Sequence, residues 1–241
     1  MNKKISVTIV VPVYNEKENL PLLFAEIKRA MDACQRPWDV LFVNDASTDD
    51  SLEAIKLLAA EDQRVRYLSF RENRGQSAGF AAGFAAASGD VVVTIDADLQ
   101  NDPADIPTLL DTLQTQNVDM VIGWRQKRKD TWIKRVSSRF ANRIRDWWTR
   151  ETVRDTGCSL KAMRTDVARR LHVFKNMHRY LPTLVKMQGG TVAEVPVNHR
   201  PRVHGVSKYG TWDRAKAGIY DLIGVRWLQD RAIRYDIDDK N

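Results

Sequence analysis

Asp96 and Asp98 stand one residue apart in VVVTIDADLQNDP, residues 91–103, where an apolar and mostly β-branched run meets charge. Carboxylates at i and i+2 beyond a strand, where the chain turns, can both reach one hard divalent cation, and Gln100 can add a neutral oxygen. Mg²⁺ or Mn²⁺ held in this way keeps part of its water and takes up substrate phosphates. As a bare string, DxD serves equally well as a pair of strand-end caps; its place beside other strand-end motifs favours the metal.

A second constellation is Asn44-Asp45-Ala46-Ser47-Thr48-Asp49-Asp50. Asp45, at a strand end, can accept hydrogen bonds from a base or ribose, as acidic residues do at this edge of nucleotide-binding sheets. Asp49 and Asp50 suit helix capping. The sequence has no GxGxxG after its first strand and no GxxxxGK[ST], which argues against a dinucleotide cofactor and a P-loop nucleotidase. The third feature is basic: from Trp124 to Arg150 ten Lys/Arg face Asp130 and Asp146, a local balance of +8 in a chain of net charge +7. Such a surface suits nucleic acid, anionic lipid or a phosphorylated substrate, and charge alone does not choose.

These residues need a frame. ISVTIVVPVY, WDVLFVND, VRYLSF and DVVVTIDAD read as short strands. Between the first three, Leu20, Leu23, Phe24, Ile27 and Met31, then Leu52, Ile55, Leu58 and Ala59, repeat with helical period. Asn15 and Asp49 or Asp50 are the expected helix starts. Strand alternating with helix predicts an α/β fold with a mainly parallel sheet, whose ligands bind beyond the carboxyl ends of the strands. That rule puts Tyr14-Asn15-Glu16, Asn44-Asp45 and Asp96-Ala97-Asp98 on one edge. Farther on, DMVIGW (119–124) and TVAEVPVNHR read as strands, while 133–148, 178–188 and 211–231 read as helices. In 133–148, Arg135, Arg139 and Arg143 form a stripe beside Ser138 and Asn142.

At 241 residues with 12 glycines and 8 prolines the chain is long enough for one well-packed domain, or one with an appendage. Two cysteines, Cys34 and Cys158, make no disulfide framework and fit a reducing, cytoplasmic setting. Pro12 interrupts the N-terminal apolar run, which reads as a strand rather than a signal peptide. No segment approaches the roughly 18 to 20 apolar residues that span a bilayer, so the expected membrane contact is peripheral.

VPVYNEKENL, FVNDASTDDS, ENRGQSAGFAAGFAAASGD and TIDADLQNDP, in this order, resemble the nucleotide-sugar half of family-2 glycosyltransferases with the GT-A fold. WIKRVSSRFANRI, VRDTGCSLKAMR, HRYLPTLVKMQG and VPVNHRPRVHGVSKYG resemble the branch containing dolichol-phosphate mannose synthase and bacterial polyprenyl-phosphate sugar transferases. The resemblance implies that 1–210 form the glycosyltransferase domain, with an amphipathic tail at 211–241. It further implies that Pro12, Tyr14, Glu16 and Asp45 contact the nucleoside of a nucleotide diphosphate sugar, and that Asp96, Asp98 and Gln100 hold Mg²⁺ or Mn²⁺ on its diphosphate. Arg125, Arg135, Ser138 and Arg139 fall at the acceptor-phosphate site, and Arg202, Ser207 and Lys208 in a loop closing over the phosphates. The family's usual DDGSxDGT is NDASTDDS here, with Asn44, Ala46 and Asp50 the departures. The branch often carries C-terminal membrane spans, which this sequence lacks.

The chemistry agrees. A leaving nucleoside diphosphate needs its charge neutralised, which a carboxylate-held metal does as a Lewis acid. A sugar hydroxyl acceptor also needs a base, for which Asp155 is the candidate. A phosphate acceptor is already anionic and needs positioning by arginines instead. The expected function is inverting transfer of a sugar from a GDP- or UDP-sugar to a polyprenyl phosphate at the membrane surface. Its rivals are transfer to a saccharide hydroxyl, nucleic-acid binding and a silent sugar-nucleotide sensor. Nucleic-acid binding leaves DADLQ without a purpose, and the basic segment lacks the interleaved aromatics of a single-strand platform. The tail helix has three candidate partners: a membrane surface, its own domain or a second copy in a homodimer.

Overall fold

The computed structural model describes residues 4–126, 148, 152–201 and 211–233. Seven strands form one sheet: β1 (Val7–Val13), β2 (Trp38–Asn44), β3 (Val65–Ser69), β4 (Val91–Thr94), β5 (Met120–Arg125), β6 (Lys161–Arg164) and β7 (Val192–Val197), in the order β3-β2-β1-β4-β6-β5-β7. Every pairing is parallel except those of β6, which runs antiparallel to β4 and β5. Because β6 reverses twice, β5 and β7 again point the same way as β4. The carboxyl ends of β1, β2, β4, β5 and β7 therefore share one edge.

Alternation sorts the strand side chains between two cores. Val7, Ile9, Val11 and Val13 of β1 enter the core beneath α1 (Leu20–Cys34), α2 (Ser51–Glu61) and α4 (Ile106–Thr115). Val10 enters the opposite core with α3 (Gln76–Ala86), α5 (Thr165–Arg169), α6 (Leu181–Met187) and α7 (Thr211–Arg231). Helix α3 lies very close to β1. A Cβ on Gly79 would stand 3.1 Å from Pro12 Cβ, and one on Gly83 would stand 2.2 Å from Val10 Cγ1. Only glycine permits that approach, so AGFAAGFAA supplies a small face toward β1 while Phe80 and Phe84 stack on each other, ring centroids 6.0 Å apart.

Several expectations change in detail. Helix α1 begins at Leu20 with Pro21 in its first turn, where a missing N–H costs nothing; Asn15, at φ 55°, sits in the preceding loop and does not start it. The 178–188 helix is a 3₁₀ turn, Met177–Arg179, followed by α6, with Pro182 in the new first turn. Helix 133–148 lies outside the described residues except Trp148. The tail is not simply amphipathic: Val225 is buried and Leu222 and Leu228 pack on the core, yet Tyr220, Ile223 and Trp227 are exposed on the other side. No helix among the described residues is long and apolar enough to cross a membrane.

Candidate active site

The shared edge collects most of the described residues that the sequence marks for chemistry. The loops leaving β1 and β2 are tied together: Asn15 Oδ1 accepts from Thr48 N at 2.7 Å, Asn15 N donates to Ser47 Oγ at 3.0 Å, and Glu16 N donates to Ser51 Oγ at 2.9 Å. Glu16 Oε2 accepts from Asn19 Nδ2 at 2.6 Å. Tyr14 is half-buried beside them and Pro12 rests against Gly79. Asp45 is 3% exposed, and its two oxygens accept from the backbone N–H groups of Arg74 at 2.6 Å and Gly75 at 2.7 Å. It thereby anchors the loop that opens α3. The three departures in NDASTDDS have local roles: Asn44 bonds Ser69 Oγ at 3.0 Å, Ala46 adopts φ 55°, and Asp50 pairs with Lys17 at 2.5 Å.

Beyond β4, Asp96 is half-buried and Asp98 is 7% exposed. Gln76 Nε2, from the first turn of α3, donates to Asp96 Oδ1 at 2.6 Å, and Asp98 Oδ1 accepts from Gln100 N at 3.2 Å. Burial, and then the neighbouring charge of Asp98, push the Asp96 carboxyl up to about 6. Two oxygen anions crowded at a partly closed edge suit a hard divalent cation, whose charge offsets what raises Asp96. Among the described residues no group of three or more His, Cys, Asp or Glu is arranged around a metal position. Two carboxylates and one neutral oxygen suit an ion that keeps coordination positions open.

Three segments brace the loop that carries this pair. Asn101 Oδ1 accepts from Ser159 Oγ at 2.6 Å, and Asn101 forms an antiparallel bridge with His199. Arg200 N donates to Gln100 O at 2.8 Å, while its guanidinium spans Glu26 at 2.8 Å and Asp102 at 2.7 Å. Asp105 accepts from Asn198 N at 2.7 Å. Below them Lys161 is 2% exposed and donates to Cys158 O; burial drives its ammonium below the ordinary lysine range, while Cys158 and Asp96 hold it up. Cys158 is fully buried, and burial pushes its thiol up, the opposite of an activated nucleophile.

Arg125, at the end of β5, makes a two-pronged contact with Asp155: Nε to Oδ2 at 2.7 Å and Nη2 to Oδ1 at 2.8 Å, both side chains largely buried. Burial works against the Arg125 charge, but the Asp155 carboxylate more than offsets it and holds the guanidinium above its usual range. The edge thus brings together Pro12, Tyr14, Glu16, Asp45, Asp96, Asp98, Gln100 and Arg125. Arg135, Ser138, Arg139, Arg202, Ser207 and Lys208 lie outside the described residues. Gln76, Ser159 and Lys161 carry no assignment in the sequence reading. A lysine heading a short apolar strand was the available signal for the last.

The profile of glycosyl transferase family 2 matches residues 8–171. The chain belongs to that family. Among curated proteins this family-2 glycosyltransferase is 34% identical over 230 residues to the dodecaprenyl-phosphate galacturonate synthase of Rhizobium johnstonii, spanning 94% of this chain and 68% of that one. It is 34% identical over 218 residues to the undecaprenyl-phosphate 4-deoxy-4-formamido-L-arabinose transferase of Aeromonas hydrophila, spanning 90% and 66%. The chain thus spans about two thirds of the length of these relatives. The glucosyl-3-phosphoglycerate synthase of Mycobacterium tuberculosis, crystallised with Mn²⁺, UDP-glucose and phosphoglyceric acid, superposes with a TM-score of 0.70 over 93% of this chain and 79% of that one. At 18% identity that likeness establishes the GT-A fold.

Proposed function

We propose that this family-2 glycosyltransferase is a metal-dependent, inverting enzyme that moves a sugar from a nucleotide diphosphate donor to a polyprenyl phosphate at the cytoplasmic membrane surface. Two relatives at 34% identity bear names that specify polyprenyl-phosphate products or acceptors. The observation in this chain that carries the reading is the fate of Asp155. Transfer to a sugar hydroxyl needs a carboxylate free to take a proton. Asp155, the candidate for that base, is committed through both oxygens to Arg125. An anionic phosphate oxygen needs no such base.

In this reading Asp96, Asp98 and Gln100 hold Mg²⁺ or Mn²⁺, which when bound neutralises the leaving diphosphate. Gln76 orients Asp96, and the Arg200 clamp braces the loop that carries both carboxylates; Pro12, Tyr14, Glu16 and Asp45 contact the nucleoside, Asp45 while it also holds the loop opening α3. Arg125, Arg135, Ser138 and Arg139 position the acceptor phosphate, and Arg202, Ser207 and Lys208 close over the donor. The domain occupies 1–210, with 211–241 as its tail.

Incubation with Mn²⁺ or Mg²⁺, a panel of GDP- and UDP-sugars and a polyprenyl phosphate should yield a lipid-linked sugar of inverted anomeric configuration, read by mass spectrometry and NMR. Folded, metal-binding protein that forms no such lipid with any donor, or that glycosylates a saccharide hydroxyl instead, would refute the assignment.

A further inference from the structure

Helix α7 carries apolar side chains on two opposite sides, and the described residues of the domain cover only one of them. Val225 is 1% exposed, Leu222 and Leu228 pack on the core, and Asp221 accepts from Asn176 Nδ2 at 2.9 Å. These contacts fix the rotation of the helix. They leave Tyr220 80%, Ile223 54% and Trp227 57% exposed, at spacings of three and four that place all three on one outward face. We propose that this face docks on an anionic bilayer surface, an inference that rests on the acceptor assignment above for its purpose.

The composition of the face points to that occupant. Tyrosine and tryptophan bring an apolar ring with a polar handle, the combination that settles at the boundary between head groups and acyl chains. The Arg231 guanidinium lies 5.1 Å from the centre of the Trp227 ring, so a cation accompanies the aromatic at the same level. Trp148 adjoins this region, since its carbonyl accepts from Arg226 Nη1 at 3.4 Å, and it is itself 40% exposed. Trp148 belongs to the stretch from Trp124 to Arg150 whose charge balance is +8. The apolar face therefore stands beside Trp148 and the cations Arg226 and Arg231, in a chain of net charge +7, and a surface of anionic head groups complements both. A second copy of the chain would present the same positive charge and is the less suitable partner.

The test uses the full chain and vesicles that contain neither donor nor acceptor. The protein should co-sediment with vesicles of phosphatidylglycerol and phosphatidylcholine, and bind phosphatidylcholine alone much less. Replacing the two aromatics together, Tyr220→Ala with Trp227→Ala, should lower partitioning about tenfold. Leu57→Ala on α2, where the side chain is 66% exposed but stands apart from this face, should leave it unchanged. Melting temperatures verify that the variants remain folded, and Trp227→Glu alone offers a second variant should the double change unfold. Unaltered vesicle binding in the α7 variants, or none by the native chain, overturns the docking face. A shift from dimer to monomer in those variants, with vesicle binding intact, assigns the face to a second copy and overturns it too. Transfer to a short-chain, water-soluble polyprenyl phosphate should persist in the α7 variants. If transfer fails in the native chain while vesicle binding follows α7, the acceptor assignment fails and the docking face stands.

Discussion

Asp45 and Asp98 stand beyond the two strands that flank β1, and the protein treats their charges in opposite ways. Asp45 is buried, and each of its oxygens accepts a backbone N–H from one loop. Asp98 is buried close in sequence to a second carboxylate, Asp96, whose own burial and then the charge of Asp98 push it up to about 6. The first carboxylate anchors a loop through backbone donors; the second shares its edge with another carboxylate, a pair suited to a divalent cation. Burial of an acid thus distinguishes a structural from a chemical carboxylate only once its partners are counted.

Exchanging Asp98 for Asn tests the second half of this contrast. In the proposed reaction the metal supplies several kcal/mol of charge stabilisation, so turnover should fall about a thousandfold or more. Without metal the melting temperature of Asp98→Asn should hold or rise, because a repulsion is removed, and the stabilisation that Mn²⁺ gives the native chain should vanish. Scanning fluorimetry with chelator and then with Mn²⁺ reads both. Native turnover in Asp98→Asn would take this residue out of the metal site.

The same exchange at Asp45 should have the opposite sign for stability. Asp45→Asn turns an NH₂ group toward one of two backbone donors and removes a charge-assisted bond, a loss of about 2–3 kcal/mol. Urea denaturation measures it. A neutral effect would mean that the loop before α3 is held by other contacts.

This contrast was only half legible in the sequence. Period and alternation disclosed β1, β2, α1, α2, β5 and β7 because each buries one face or a continuous run. They did not disclose α3, whose alanines and glycines are apolar all round and whose register is set by Gly79 and Gly83 against β1. Nor did they disclose β6, four residues bounded by Lys161 and Arg164, where burial of the lysine overrides its usual preference. Asp96 and Asp98 could be read because they are neighbours in sequence. The partners of Asp45 are backbone groups 29 and 30 residues away, and Asp155 meets Arg125 across 30 residues. No local pattern encodes such pairs.

Acid titration sharpens the comparison with a smaller effect. Asp96 has its native pKa raised, so in metal-free protein its contribution to stability is full below about 4 and is lost as pH rises through 6. His178 acts in the opposite direction. Burial, then the charges of Arg179 and Lys161, push its imidazole down to about 3, with Ser77 Oγ 2.9 Å from Nδ1. Its contribution is full above 6.5 and is lost as pH falls toward 3. Differences between native and variant chains separate the two. His178→Gln should lose roughly 1 kcal/mol less per pH unit of acidification below 6.5. Asp98→Asn should show a weaker loss between about pH 4 and 6, because one cause of the Asp96 shift is gone. Equal pH slopes in all three proteins would reject these electrostatics.

The smallest effect is expected beside Asp45 itself. Ala46 holds φ at 55°, where an L side chain costs about 1–2 kcal/mol, in the turn that carries the β2 loop across to Asn15. Glycine removes that strain, but it also gives the unfolded chain more freedom, which takes back about 0.4–1 kcal/mol. Ala46→Gly should therefore stabilise the protein by about 0.5–1 kcal/mol, with donor binding unchanged or slightly tighter, as read by denaturation and calorimetry. Destabilisation would show that the Ala46 methyl packs usefully enough to outweigh its backbone.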